Sequence, residues 1–319
     1  MQLVRGAHNI KQAQQGCVLT IGNFDGVHLG HARVIAALVE KAKKYQCISA
    51  VMVFEPQPQE LFSPETAPAR LSRLRDKYIQ LKKLGVDQLI CINFNVKFAQ
   101  SSAQHFIEQI LVARLAIKHL IIGDDFRFGH KRHGDFSLLK VAGEQFGFSV
   151  TDTATYKLAD CRISSTEIRK ALEQNDLSTA EQMLGRPYSI VGRVFHGDKR
   201  GRQLGFPTAN VLLNRLVSPV SGVYVVQVKT EQTQYYGVAN IGSRPTVNGI
   251  RQQLEVHIFN FNDNLYGQTI EVILLTKLRE EQKFASVVEL TAQIAKDSDQ
   301  AKQMLSALAL VNDNERQIN

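Results

Sequence analysis

The chain has 319 residues, enough for two buried cores and more than one typical domain needs, with 44% hydrophobic and 21% charged residues. Its formal charge of +8 is diffuse, with 23 basic against 18 acidic residues in 1–185 and 15 against 12 in 186–319. Such spreading points to solvated surface and argues against a nucleic-acid partner, and the absence of any bilayer-length apolar run or secretory segment predicts a cytoplasmic protein with no membrane partner.

In chain order, CVLTIGNF from Cys17 reads as a strand, and HARVIAALVEKAKKY from His31 as an amphipathic helix with Val34, Ile35, Leu38 and Val39 on one face. ISAVMVF follows as a strand, then the helix LSRLRDKYIQLKKLG, with Gly85 as its C-cap. DQLICINF, the helix SSAQHFIEQILVARL and the strand HLIIGDDF continue the alternation, and SSTEIRKALEQ and LSTAEQMLG add two helices. This order predicts an α/β, Rossmann-like domain: a parallel sheet with helices on both faces. Around Leu184–Pro187 the texture changes to Val/Ile/Tyr-rich runs separated by Gly-rich turns: YSIVGRVF, GVYVVQVKT, YYGVANIG, QLEVHIF and TIEVILLTKL. These predict an antiparallel β-barrel closed by the helix FASVVELTAQIAKD, and domains over 1–185 and 186–319. Cys17, Cys47, Cys91 and Cys161 lack metal or redox spacing and read as reduced thiols, the first three in or beside strand-like runs.

Three segments of the first domain carry chemistry. GNFDGVHLGH, residues 22–31, joins the first strand to the first helix, at the sheet edge where ligands bind. Gly22, Gly26 and Gly30 allow close backbone approach, the helix start favours anions, and His28 and His31 stand on neighbouring faces of one turn. CRISSTEIR, from Cys161, sets Ser164, Ser165 and Thr166 between Arg162 and Arg169; a capping box accounts for Ser164 and Glu167 but not for the whole hydroxyl run, which suits a polyphosphate. GDDFRFG, residues 123–129, offers Asp124 and Asp125 to a metal or a polar ligand edge, and Phe126 and Phe128 to a ring or to the core.

In the second domain, HGDKRGRQLGFPTAN, residues 196–210, repeats Gly197, Gly201 and Gly205 among Lys199, Arg200 and Arg202, a loop able to fold over phosphates. It is not a Walker A sequence. Thr208 and Asn210 share one side of an extended segment and offer oxygens to magnesium. On LEVHIF, Glu255 lies opposite Leu254, Val256 and Ile258, as an ordinary solvent-side residue or a positioned base.

Together, G-x-F-D-G-V-H-x-G-H, G-x-D-F-R-F-G and R-I-S-S-T-x-I-R resemble the adenylyltransferase module of the bacterial bifunctional riboflavin kinase and FMN adenylyltransferase (FAD synthetase) family over roughly 15–185. R-P-Y, G-R-Q-L-G-F-P-T-A-N, S-G-V-Y, G-V-A-N-I-G-x-R-P-T and L-R-x-E-x-K-F resemble its riboflavin kinase module over about 186–300. The resemblance implies two reactions, ATP-dependent phosphorylation of riboflavin to FMN and adenylylation of FMN by ATP to FAD with release of pyrophosphate. It implies ATP contacts at Gly22, Phe24, Gly30, Ser164, Ser165, Thr166, Arg169, Gly201, Gly205, Thr208 and Asn210, with His28 and His31 stabilising adenylyl transfer. It further implies a six-stranded barrel in which Thr208 and Asn210 hold Mg2+ with ATP, Glu255 as the base, and flavin contacts at Phe54, Phe62, Asp125, Phe128, Arg279 and Phe284. One departure is Glu55-Pro56-Gln57-Pro58, where many relatives carry P-H-P, so no histidine role transfers to position 57. Three alternatives remain at this point: a weakened adenylyltransferase half, an RNA-binding protein, suggested by the positive charge and the HLGH segment, and a flavin-sensing module without catalysis.

Overall fold

Cys17–Ile21 is buried along its whole length, as a parallel strand covered on both faces must be. The structure, a computed structural model, describes residues 1–10, 16–123, 125–153, 157–158, 161–196, 205–213, 217–246 and 249–318. It divides into two compact units, Met1–Glu167 and Ile168–Asn319.

The first unit runs through β1 (Gln2–Arg5), β2 (Cys17–Ile21), α1 (Leu29–Lys44), β3 (Ile48–Glu55), α2 (Pro58–Phe62), α3 (Leu74–Lys83), β4 (Gln88–Asn93) and α4 (Val96–Ala99). Next come α5 (Ala103–His105), which runs on as a π-helix over Phe106–Arg114, then β5 (Ile117–Ile122), α6 (Phe136–Phe146), β6 (Ser149–Asp152) and the short pair β7 (Lys157–Leu158) and β8 (Cys161–Arg162). Helix α7 (Ser165–Glu173) begins at its end. The sheet is parallel throughout, in the order β1-β4-β3-β2-β5-β6. Alternate residues of β2 serve two cores: Val18 packs with Ile35, Leu38 and Leu81 of α1 and α3, while Leu19 and Ile21 pack with Ile107, Leu111 and Leu139 on the other face. This is the expected Rossmann-like layering. The chain moves from β2 to β3 and β4 on one side, then returns to β5 on the other. The switch point therefore lies between the carboxyl ends of β2 and β5, where such sheets bind ligands.

The second unit holds the rest of α7, α8 (Leu177–Leu184), β9 (Ser189–Phe195), β10 (Thr208–Leu212), β11 (Gly222–Lys229), β12 (Gln234–Thr246), β13 (Gly249–Ile258), β14 (Thr269–Arg279) and α9 (Val287–Ile318). Its six strands close as an antiparallel barrel in the order β10-β13-β12-β11-β14-β9. Leu254, Val256 and Ile258 are buried in alternation along β13. Val238, paired with His257, packs on Ala301 of α9, so Gln253, Glu255 and His257 face outward, on the side that α9 partly covers.

Sequence reading misses β1, α6 and β6. The four-residue strands β1 and β6 give too little periodicity, and they sit at the two sheet edges; α6 is nonetheless bounded by ordinary signals, with Asp135 accepting from Leu138 N and Gly147 left-handed at φ 79°. Gly85 follows α3 at φ 83°, in its expected capping place. Leu19→Ala removes a fully buried side chain between layers and is expected to destabilise its unit by roughly 2–5 kcal/mol, read as a lower urea midpoint of the full chain.

Candidate active sites

The turn after β2 is fixed by a buried carboxylate. Asp25, 2% exposed, accepts from Leu71 N at 3.1 and 3.0 Å, from Ser72 N at 2.9 Å and from Ser72 Oγ at 3.2 Å. The Ser72 hydroxyl in turn accepts from Gly26 N at 2.8 Å. Phe24 and Val27 take left-handed φ values of 45° and 43° within this turn, conformations that a side chain accepts only when the surroundings hold them. The Phe24 ring is buried and lies 4.9 Å from His31, centroid to centroid.

His28 then caps α1, its Nδ1 accepting from His31 N at 3.2 Å. With Nδ1 committed as acceptor, a neutral His28 carries its proton on Nε2 and is a donor there. The two imidazoles stack, 3.6 Å between centroids and 18° from parallel. Desolvation, then the neighbouring His28 and Lys77, hold His31 well below the ordinary histidine range, so it enters the site neutral.

The second motif closes on the first. Ser165 Oγ donates to the Asp25 carbonyl at 2.8 Å, and Ser164 Oγ caps α7 by accepting from Glu167 N at 3.2 Å. A Cβ on Gly30 would stand 3.1 Å from the His28 ring and 3.5 Å from the Ile163 carbonyl, so a bare backbone lets the two motifs approach. Thr166 is exposed on the first turn of α7, and Arg169 follows one turn later. His28, His31 and the serine–threonine run thus share one locality at the end of β2. Gly22, whose Cβ would meet the Phe24 ring at 3.2 Å, begins it.

Beside this turn lies a polar cluster that sequence reasoning missed. Lys77 on α3 is fully buried, and its Nζ has no hydrogen-bond partner among the described residues. Desolvation lowers its pKa against the opposing pull of Asp25, Glu55 and Glu60, with Arg70 adding to the lowering. Arg70 itself pairs with Glu60 and Glu55; burial opposes its charge, but the two carboxylates outweigh that and raise its pKa. Gln57, at the departure from P-H-P, caps α2 from a buried position, its Nε2 without a hydrogen-bond partner among the described residues. A lysine at an interior helical position looks in sequence like any surface lysine, so no local signal announces this one.

A cavity of about 550 Å3 opens near the end of β3. Phe54, Phe62, Phe94, Phe98, Phe126 and Phe128 line its apolar part, and Arg127, Lys131 and Arg132 contribute cationic side chains. Phe62 is 62% exposed, an aromatic held at the mouth. Four of the phenylalanines singled out in sequence, Phe54, Phe62, Phe126 and Phe128, are therefore brought together; Phe94, in the loop after β4, and Phe98, on α4, were missed because isolated aromatics in short segments carry no motif. Asp125 is exposed in the turn closed by Phe126 N to Gly123 O at 3.1 Å and does not line the cavity; Asp124 lies outside the described residues.

In the barrel, register supplies the geometry. Asn210 pairs with Glu255 and Thr208 with His257 across β10 and β13, so all four side chains share the outer face. Gln253 Nε2 donates to Asn210 Oδ1 at 2.5 Å and to Glu255 Oε1 at 3.1 Å. His257 Nδ1 donates to the Pro207 carbonyl at 3.0 Å, tying β13 to the segment that precedes Thr208. Gly205 adopts φ 84° before it; Gly201, with Gly197, Lys199, Arg200 and Arg202, lies outside the described residues. Arg279 is held by Asp297 of α9 through contacts of 3.1, 3.1 and 2.8 Å, and its guanidinium stands 5.7 Å from the Phe284 ring. Among the described residues no three His, Cys, Asp or Glu side chains form a metal cage, and no helix is long and apolar enough to cross a membrane.

These two sites sit in a chain whose relatives are known. Family models described as FAD synthetase and riboflavin kinase match residues 10–167 and 184–305. The bifunctional riboflavin kinase/FMN adenylyltransferase of Escherichia coli K12 is 54% identical over 95% of this chain and 97% of its own, and that of Haemophilus influenzae 52% over 95% and 98%. The crystal structure of a macrolide-efflux protein from Streptococcus pneumoniae superposes with a TM-score of 0.74 at 30% identity, covering 93% of this chain and 97% of the other. The fold and sites thus define a two-domain nucleotide-using transferase. The chain belongs to the bifunctional riboflavin kinase/FMN adenylyltransferase family.

Folding disfavours the Lys77 ammonium, so its folded pKa lies below the unfolded 10.5. In that interval the unfolded chain binds more protons, and stability rises with pH; the penalty is complete below the folded pKa and fades toward 10.5. Lys77→Met is expected to raise the thermal midpoint at pH 7, with the gain shrinking as pH approaches 10. A lower midpoint at pH 7 contradicts this.

Proposed function

We propose that the chain converts riboflavin to FMN in its kinase module, residues 186–319, and FMN to FAD in its adenylyltransferase module, residues 1–185, with small molecules as its only partners in the cytoplasm. The reading is supported above all by the convergence of His28 and His31 with Ser165 through the Asp25 carbonyl, far apart in sequence and adjacent in space.

For adenylyl transfer, an FMN phosphate oxygen attacks the α-phosphorus of ATP in line, and the bond to the bridging oxygen breaks to release pyrophosphate. The acceptor is already anionic, so no protein nucleophile is needed; the work is alignment and charge stabilisation. The His28 Nε2 proton and the amides at the start of α1 donate to the phosphate oxygens, while the stacked, neutral His31 supports the same charge. Ser164, Ser165, Thr166 and Arg169 hold the triphosphate tail at the start of α7. The aromatic cavity beside β3 suits the flavin ring, and its Arg127, Lys131 and Arg132 suit the phosphate of FMN.

For the kinase, the ribityl 5′-hydroxyl attacks the γ-phosphorus, ADP leaves, and Glu255 takes the hydroxyl proton. Thr208 and Asn210 would hold the magnesium that accompanies ATP: both present neutral oxygens, and Asn210 Oδ1 keeps a second lone pair after accepting from Gln253. Bound there, the ion would neutralise charge on the nucleotide phosphates. Arg279 and Phe284 would cover the flavin from the end of β14, with Asp297 fixing the arginine.

Purified protein given riboflavin, ATP and magnesium is expected to form FMN and then FAD, separated by chromatography. Glu255→Gln should lower FMN formation by about 10²–10⁴-fold while FAD still forms from supplied FMN. His28→Ala should lower FAD formation by about 10²–10³-fold with FMN accumulating. Loss of both activities in either variant at unchanged stability contradicts two separate sites.

A further inference from the structure

A glutamine amide nitrogen carries two hydrogens, and Gln253 directs one to each of two acceptors. The bonds run 2.5 Å to Asn210 Oδ1 and 3.1 Å to Glu255 Oε1, from a side chain only 8% exposed. Both acceptors belong to the proposed phosphoryl-transfer machinery, and neither is Gln253's own strand-paired partner, which is Leu212. Asn210 and Glu255 face one another across the ladder, and the bridge sets one donor nitrogen between the amide oxygen and the carboxylate. On the other side, Gln253 pairs with Gly242 of β12, where the Glu281 carboxylate fills the space a side chain would take.

The far end of the Asn210 amide is held less firmly. Its Nδ2 donates to the Thr208 carbonyl at 3.4 Å, so the shorter bond from Gln253 is what aims Oδ1. The bridge leaves capacity at the amide oxygen, since Asn210 Oδ1 retains one lone pair.

We propose that Gln253 is a positioning residue for riboflavin phosphorylation, its amide nitrogen holding the metal-binding oxygen of Asn210 and the basic oxygen of Glu255 in one fixed relation. The proposal rests on the reading of Glu255 and Asn210 given above. It predicts a linked defect: one substitution disturbs nucleotide–magnesium binding and proton removal together, while riboflavin binding is untouched.

The test compares Gln253→Leu, which fills the space without donors, with Gln253→Lys, which keeps donors for both oxygens. Steady-state kinase kinetics are measured against Mg-ATP and riboflavin separately, and FAD formation from supplied FMN is followed in the same preparations as a control for folding. Gln253→Leu should lower kcat/KM for Mg-ATP by about 10–100-fold through both kcat and KM, leaving the riboflavin KM and FAD formation unchanged. Gln253→Lys should recover at least part of this loss. Wild-type kinase kinetics in Gln253→Leu overturn the proposal, and so do equal losses in both variants. A Glu255→Gln variant measured in parallel separates the two levels: if it phosphorylates riboflavin at the wild-type rate, the assignment of the base falls; if it is inactive and Gln253→Leu is normal, only the bridge falls.

Discussion

The proposed adenylyltransferase site depends on one buried carboxylate. Asp25 has no solvent to satisfy it, so it must collect donors from the protein, and it takes them from two consecutive backbone amides and a hydroxyl on the segment preceding α3. That requirement pins the turn between β2 and α1. The pinned turn places His28 at the helix start, its ring stacked on His31, and presents the carbonyl of Asp25 itself to Ser165. One charge, with its hydrogen bonds, therefore orders three segments that are remote in sequence.

The proposed kinase site is built by a different device. Its strand register is rigid, and a one-residue slip would turn every side chain to the opposite face. Thr208 and Asn210 on β10 and Gln253, Glu255 and His257 on β13 stand on one face because the inner face is occupied by Val211, Leu254 and Val256, all fully buried. The apolar core thus sets the polar site. The two devices share a principle: buried groups outside the proposed reacting set fix the backbone that carries it.

Much of this was legible in sequence. The strand–helix alternation and the change of texture near Leu184 give both fold classes, because period and turn chemistry are local properties. The full decapeptide from Gly22 marks the first site, and G-F-P-T-A-N with L-E-V-H-I-F marks the second. What escaped was long-range. Asp25 sits inside the motif and reads there as one more polar residue near a ligand, whereas its partners Leu71 and Ser72 are 46 and 47 residues away. Lys77 is invisible for the same reason: only tertiary packing buries it. Gln253 had a signal, since it shares the face of Glu255 two residues on, but strand periodicity alone does not say that its amide reaches Asn210 on the neighbouring strand.

The claim that Asp25 organises the adenylyltransferase site is tested most directly by amide hydrogen exchange on Asp25→Asn, read together with FAD formation from FMN. An amide group in that place turns an acceptor oxygen into a donor against the N–H groups it faces. Faster exchange at Gly26, Leu71 and Ser72, a loss of FAD formation of at least about a hundredfold and intact riboflavin phosphorylation are the expected results. Wild-type FAD formation while those three amides exchange freely would show that the histidine site does not need the carboxylate.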